Sequence, residues 1–142
     1  MAGTTTVPVS MTLTEPLKAG TPGSAPCPDI HIAFNCGSGE VIPFGHATEA
    51  VAIGICGETC SMREIDLAQG SIILQETVTD FSCPGVCGSQ GPLGTPFTLT
   101  ITDVVIDGTG IFSGATGSLS GTVVAAGFHG QIKLAGTITL DP

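Results

Sequence analysis

Few side chains in this sequence could do chemistry, and two acids stand out by pattern. From Ser71 to Phe81, the residues Ile72, Leu74, Glu76, Val78 and Asp80 share one parity, and Ile73, Gln75, Thr77, Thr79 and Phe81 share the other. Side chains alternate faces along a strand. Glu76 is therefore either enclosed with the aliphatic residues or left in solvent as an outer acid, and the outer placement is the plainer reading. Enclosed, its carboxyl would rise in pKa and could act as a general acid or base. Glu49, within His46-Ala47-Thr48-Glu49-Ala50-Val51, offers the same choice. Glu76 and Glu49 are the candidate catalytic residues.

Asp103 and Asp107, beside a Gly-rich turn, offer oxygen ligands of the kind a hard cation takes. His31, His46 and His129 share no metal spacing, and each reads as a surface or satisfied strand residue. No Gly-x-Ser-x-Gly elbow occurs. Neither a metal nor a cofactor is expected.

Six cysteines, Cys27, Cys36, Cys56, Cys60, Cys83 and Cys87, form an even set. In a chain so poor in charge they read as a disulfide framework. A metal site is the rival reading, but Cys56-Gly57-Glu58-Thr59-Cys60 and Cys83-Pro84-Gly85-Val86-Cys87 each place three residues between cysteines, where zinc knuckles more often have two. A hairpin turn at Ala68-Gln69-Gly70-Ser71 would set Cys60 near Thr79 and Cys56 near Cys83. These four cysteines should then gather at the barrel end away from that turn. Three disulfides are expected. Cys27–Cys36 would be local, and the other four would pair within each Cys-x-x-x-Cys motif or across the two.

The elements that position these groups are strands. Gly or Pro interrupts almost every helical window, whereas period-two alternation recurs. Val7, Val9, Met11 and Leu13 alternate with Pro8, Ser10 and Thr12; Leu99 and Ile101 alternate with Thr98, Thr100 and Thr102; Ile132, Leu134, Ile138 and Leu140 alternate with Lys133, Thr137 and Thr139. Eight strands are expected near 5–14, 30–35, 41–55, 62–67, 71–82, 96–106, 118–126 and 130–140. Gly127-Phe128-His129-Gly130 reads as a further turn, and residues 15–29 as a Pro-rich loop. The expected fold is all-β: a single antiparallel, disulfide-bonded barrel domain spanning 1–142.

One segment carries a resemblance. The run Gly108-Thr109-Gly110-Ile111-Phe112-Ser113-Gly114-Ala115-Thr116-Gly117-Ser118-Leu119-Ser120-Gly121 resembles the Gly-Thr-Gly-x-Phe-x-Gly-Ala-x-Gly segment of allene oxide cyclase-like and dirigent-like β-barrels. It is specific over about 15 residues and architectural over 40–140. The resemblance implies that Gly108, Gly110, Gly114 and Gly117 shape a tight turn and that Phe112 tucks under one end of the barrel. It also implies a cyclase or isomerase acting in the barrel interior. The first 40 residues and all six cysteines lie outside the family pattern.

Composition sets the remaining bounds. The formal charge is −9, from 12 acids against three bases, and charged residues are 11% of the chain. Nucleic acid is excluded as a partner, since phosphate binding needs Lys and Arg to displace counterions. No apolar run reaches the ~20 residues of a membrane helix. Low charge, a Thr- and Gly-rich coat and disulfides point to an extracellular or secreted domain. The start of the chain lacks the basic and apolar regions of a signal peptide, so the chain reads as a mature form. The leading functional expectation is a non-enzymatic structural or interaction domain that assembles as a homo-oligomer or with another protein. The alternatives are a carrier of a small apolar ligand and the cyclase or isomerase just named.

Overall fold

The computed structural model describes residues 3–16, 34–83, 96–126 and 129–142. It is a closed barrel of eight antiparallel strands in sequence order: β1 (Thr5–Pro16), β2 (Phe34–Ile42), β3 (Gly45–Gly57), β4 (Cys60–Leu67), β5 (Gly70–Ser82), β6 (Phe97–Gly108), β7 (Thr116–Ala126) and β8 (His129–Leu140). β1 closes on β8 from Thr5 opposite Leu140 to Pro16 opposite His129. Closure leaves no free sheet edge on which another chain could template.

Alternation places the core. Val9, Met11 and Leu13 of β1 and Ile132, Leu134 and Ile138 of β8 are buried inside, with Ile65, Ile72, Leu74, Ile101, Val105 and Leu119 from the intervening strands. Their neighbours in sequence, mostly Thr and Ser, face out.

The strand boundaries differ from expectation in several places: β1 runs on to Pro16, taking Glu15 and Pro16 from the expected loop at 15–29, β8 starts at His129 of the expected turn, and the largest difference lies at β2 and β3. Residues 41–55 read as one strand, but Pro43 and Phe44 form a turn that ends β2 and starts β3. Val41-Ile42-Pro43-Phe44 is apolar enough to pass for strand interior. Proline has no N–H for the ladder, however, and this pushes it out of central strands. Of the expected strand at 30–35, residues 30–33 lie outside the described residues.

The β4–β5 hairpin is also tighter than expected. Leu67 faces Gly70, so the turn is the two residues Ala68 and Gln69. The register shifts by two: Cys60 faces Thr77 rather than Thr79.

At the end of the barrel that holds this turn, a single 3-10 turn, Gly110–Phe112, folds the chain under the core. Phe112 is fully buried there and meets Phe44 edge to face at 5.0 Å. Gly108 permits this, because a Cβ on it would lie 2.2 Å from the carbonyl oxygen of Phe112. Gly110, Gly114 and Gly117 all carry positive φ through this corner.

Candidate functional site: a buried belt of acids around Arg63

Five ionisable side chains point into the barrel and form a belt across it. Glu15 comes from β1, Glu49 from β3, Arg63 from β4, Glu76 from β5 and Asp103 from β6, and all are buried. Each follows the inward parity of its strand. Toward the Phe112 end the belt rests on Leu13, Ala47, Ile65, Leu74 and Val105. Toward the opposite end lie Val51, Ser61, Val78 and Ile101.

Arg63 organises the belt. Its Nε donates to Glu76 Oε1 at 2.9 Å and its Nη2 to Glu76 Oε2 at 3.0 Å. Its Nη1 donates to Glu15 Oε1 at 2.6 Å and to Glu49 Oε2 at 2.8 Å. The planar guanidinium fork matches a carboxylate with two parallel bonds, which a Lys could not do.

The acids are not equivalent. Burial works to raise Glu76, but the paired guanidinium outweighs it and holds the carboxyl below its ordinary range. Glu76 is thus enclosed and ionised: it is not the outer acid of the plainer expectation, and its pKa does not rise as the enclosed alternative had it. Glu49 behaves the other way. Burial first, and then the neighbouring Glu15, push it up to about 10 against the opposing pull of Arg63. Asp103, facing Glu76 directly across β5 and β6, is pushed up to about 9 by burial and then by that carboxylate. At neutral pH, Glu49 and Asp103 are carboxylic acids.

These two acids also carry unused hydrogen-bonding capacity. As protonated acids, Glu49 shares a hydrogen bond with Glu15 and Asp103 with Glu76; beyond these shared protons, Glu49 Oε1 and both oxygens of Asp103 are buried and receive no hydrogen bond from a donor among the described residues. They stand at the two ends of the run Glu49–Arg63–Glu76–Asp103. Room for Glu49 is made by Gly37, which faces it from β2. A Cβ at Gly37 would lie 2.8 Å from Glu49 Oε1 and 2.1 Å from the carbonyl oxygen of Thr14.

The other candidates fall elsewhere. A bulge between Val78 and Asp80 flips Asp80 outward, off the face it shares with Glu76 in the simple alternation. A second bulge, between Leu74 opposite Val105 and Ile73 opposite Asp107, leaves Asp107 exposed while Asp103 is enclosed. The two aspartates therefore cannot share a cation. Among the described residues, no group of three or more His, Cys, Asp or Glu is placed to hold a metal. His46 is exposed and lies 3.4 Å from Glu40; His129 is exposed at the start of β8. His31 lies outside the described residues.

Cys56 and Cys60 are bridged within their motif, with Cα atoms 5.1 Å apart. This bridge clips the β3–β4 hairpin where β3 bulges between Ala52 and Gly57. Cys36 and Cys83 are also disulfide-bonded. The expected Cys27–Cys36 pairing involves Cys27, and Cys27 and Cys87 lie outside the described residues. Cys56, Cys60 and Cys83 all stand at the barrel end away from the Ala68-Gln69 turn. Cys56 does not face Cys83, because β4 begins only at Cys60 and Cys56 belongs to β3, which pairs with β4 and not with β5.

Glu15, Arg63 and Asp103 were not singled out as catalytic candidates, yet parity marks them. Glu15 continues Val9, Met11 and Leu13; Asp103 continues Leu99 and Ile101; Arg63 stands two residues from Ile65. An acid or base in phase with an aliphatic face was the available signal. No protein-family model, curated protein or solved structure matches this chain.

Proposed function

We propose that the barrel interior binds a small, mainly apolar molecule carrying a carbonyl or similar oxygen, and acts on it as a cyclase or isomerase. One observation carries this reading. Glu49 and Asp103 are buried, neutral carboxylic acids, and Glu49 Oε1 and both oxygens of Asp103 receive no hydrogen bond from a donor among the described residues. Buried polar atoms are nearly always satisfied, and a belt kept only for stability could be replaced by aliphatic packing at little or no cost. A carboxylic acid held neutral in an apolar wall is a hydrogen-bond donor aimed at developing negative charge. On an enolisable or cyclising substrate, Glu49 would donate to the carbonyl oxygen as charge builds there. Ionised Glu76 would accept a proton or stabilise developing positive charge. The surrounding Leu, Ile and Val residues would hold the substrate folded, which is how an entropic barrier is lowered without a covalent intermediate. The resemblance of Gly108–Gly117 to allene oxide cyclase-like barrels supports the same reading.

The test uses a naphthyl ketone dye whose emission shifts blue in apolar surroundings. The chain has neither Trp nor Tyr, so the dye signal is free of protein background. Saturable, blue-shifted binding by the wild type, weakened about tenfold or more in a folded Glu49→Leu variant, is expected. Equal binding by both proteins, or none by the wild type, contradicts the reading.

A further inference from the structure

The charge on this barrel is unevenly spread. Of the exposed acids, Glu40, Glu58, Glu64, Asp66 and Asp80 lie on the β2–β5 side, while Asp107 and Asp141 stand at the Phe112 end of β6 and β8. Across β6, β7, β8 and β1, the outward residues within 98–106, 116–124, 131–139 and 6–14 include no acid at all, and Lys133 is their one ion. One row across the four strands reads Thr100, Thr122, Lys133 and Thr12. Aliphatic side chains stand among the hydroxyls: Val104 is 52% exposed, Ile106 45% and Val124 44%. A shallow depression of about 360 Å³ is sunk in the same face, lined by the outward Thr102, Val104, Ser118, Ser120 and Thr137 and also by the inward-facing Asp103.

We infer that this face is the contact by which a second copy of the chain packs against the first. Two chains of charge −9 repel each other. The middle of the β6–β7–β8–β1 face is the part of the described surface where they can meet with the fewest opposing carboxylates, Asp107 and Asp141 standing only at its Phe112 end. Its small side chains, Ala135 and Ser120 among them, leave the depression open to an aliphatic side chain of the other copy. The size is adequate. The face curves with the closed barrel, so a second copy touches two to three of its strands; at ~4.8 Å spacing and ~33 Å length these cover roughly 300–500 Å² per copy, or up to about 1,000 Å² for a pair, the size of a weak, concentration-dependent interface. A contact of this kind strengthens with salt, because screening removes the repulsion between the acidic sides and the face itself holds no ion pair to weaken.

Sedimentation equilibrium of the full chain tests the inference. The wild type should run at twice the chain mass, more completely at high salt than at low. Ser120→Glu and Thr102→Glu each place an acid in the face at an exposed position, and should shift the equilibrium to monomer by tenfold or more while circular dichroism stays unchanged. Thr48→Glu, exposed on β3 on the other side of the barrel, should leave the dimer intact. A wild type that stays monomeric at high concentration and high salt overturns the inference. So does a dimer that survives both face substitutions.

Discussion

Arg63 and Glu76 meet diagonally across β4 and β5 through two parallel hydrogen bonds of 2.9 and 3.0 Å. They are not register partners: Arg63 faces Leu74, and Glu76 faces Ser61. The diagonal contact suits a long side chain reaching over one pair to the next. It leaves Nη1 free to turn toward Glu15 and Glu49, so three strands besides β4 depend on one guanidinium.

Arg63→Met should therefore be severely destabilising, by about 3–5 kcal/mol, because it strands an ionised Glu76 in an apolar interior. Adding Glu76→Leu to Arg63→Met should recover much of that loss. Urea unfolding of the single and double variants measures both. A double variant no better than Arg63→Met would show that the penalty is not an uncompensated charge.

The raised carboxyls fix the sign of the pH dependence. Glu49 and Asp103 hold their protons when folded up to about 10 and about 9, whereas in the unfolded chain they release them in the ordinary carboxyl range. Their contribution is full below that range and is lost as pH rises toward the folded values. Each can lower stability by up to about 1.4 kcal/mol per pH unit in this window. Glu76, held low, contributes oppositely, its stabilisation disappearing only on acidification. Urea midpoints should fall between about pH 6 and about pH 8. Glu49→Gln, which keeps the shape without the proton, should flatten that fall, and an equal slope in variant and wild type would refute the assignment.

Phe112→Ala should cost about 3–5 kcal/mol by opening a cavity under the core and removing the edge-to-face partner of Phe44. Phe112→Leu should cost visibly less. Thermal unfolding of the two variants compares them, and similar losses would argue that Phe112 is not packed as described.

Gly37→Ala should disturb the belt from outside it. The added methyl meets the Thr14 carbonyl and Glu49 Oε1 at once, so β1 must shift or the Glu49 carboxyl must move. Expected outcomes are a loss of about 1–3 kcal/mol in urea unfolding and weaker binding of the ketone dye. A fully stable variant with unchanged binding would mean that Glu49 does not depend on this gap.

The architecture was largely legible because Thr-outside, aliphatic-inside alternation leaves little choice but a half-buried antiparallel sheet. Register was less legible. It turns on whether Ala68-Gln69 or the longer Ala68–Ser71 run makes the turn, and Gly70 marks both, lying inside the longer run and directly after the shorter one. The bulges that turn Asp80 and Asp107 outward leave no mark in residue type. The belt was half visible: Glu49 and Glu76 could be seen as in-phase acids, but the aliphatic parity gave no hint that Arg63 would bridge them. Its effect is to split two similar glutamates into one ionised and one neutral group. That outcome depends on which carboxylate faces the guanidinium fork, a matter of side-chain geometry and not of spacing.

The most direct measurement is a carboxyl carbon-13 NMR titration of the wild type, Glu49→Gln and Asp103→Asn between about pH 5 and about pH 9. Two side-chain carboxyls should keep the chemical shift of the protonated acid well past neutrality, one disappearing in each variant. If every glutamate and aspartate instead titrates within the ordinary carboxylate range, the barrel holds no neutral acid at its centre and the proposed chemistry has no donor.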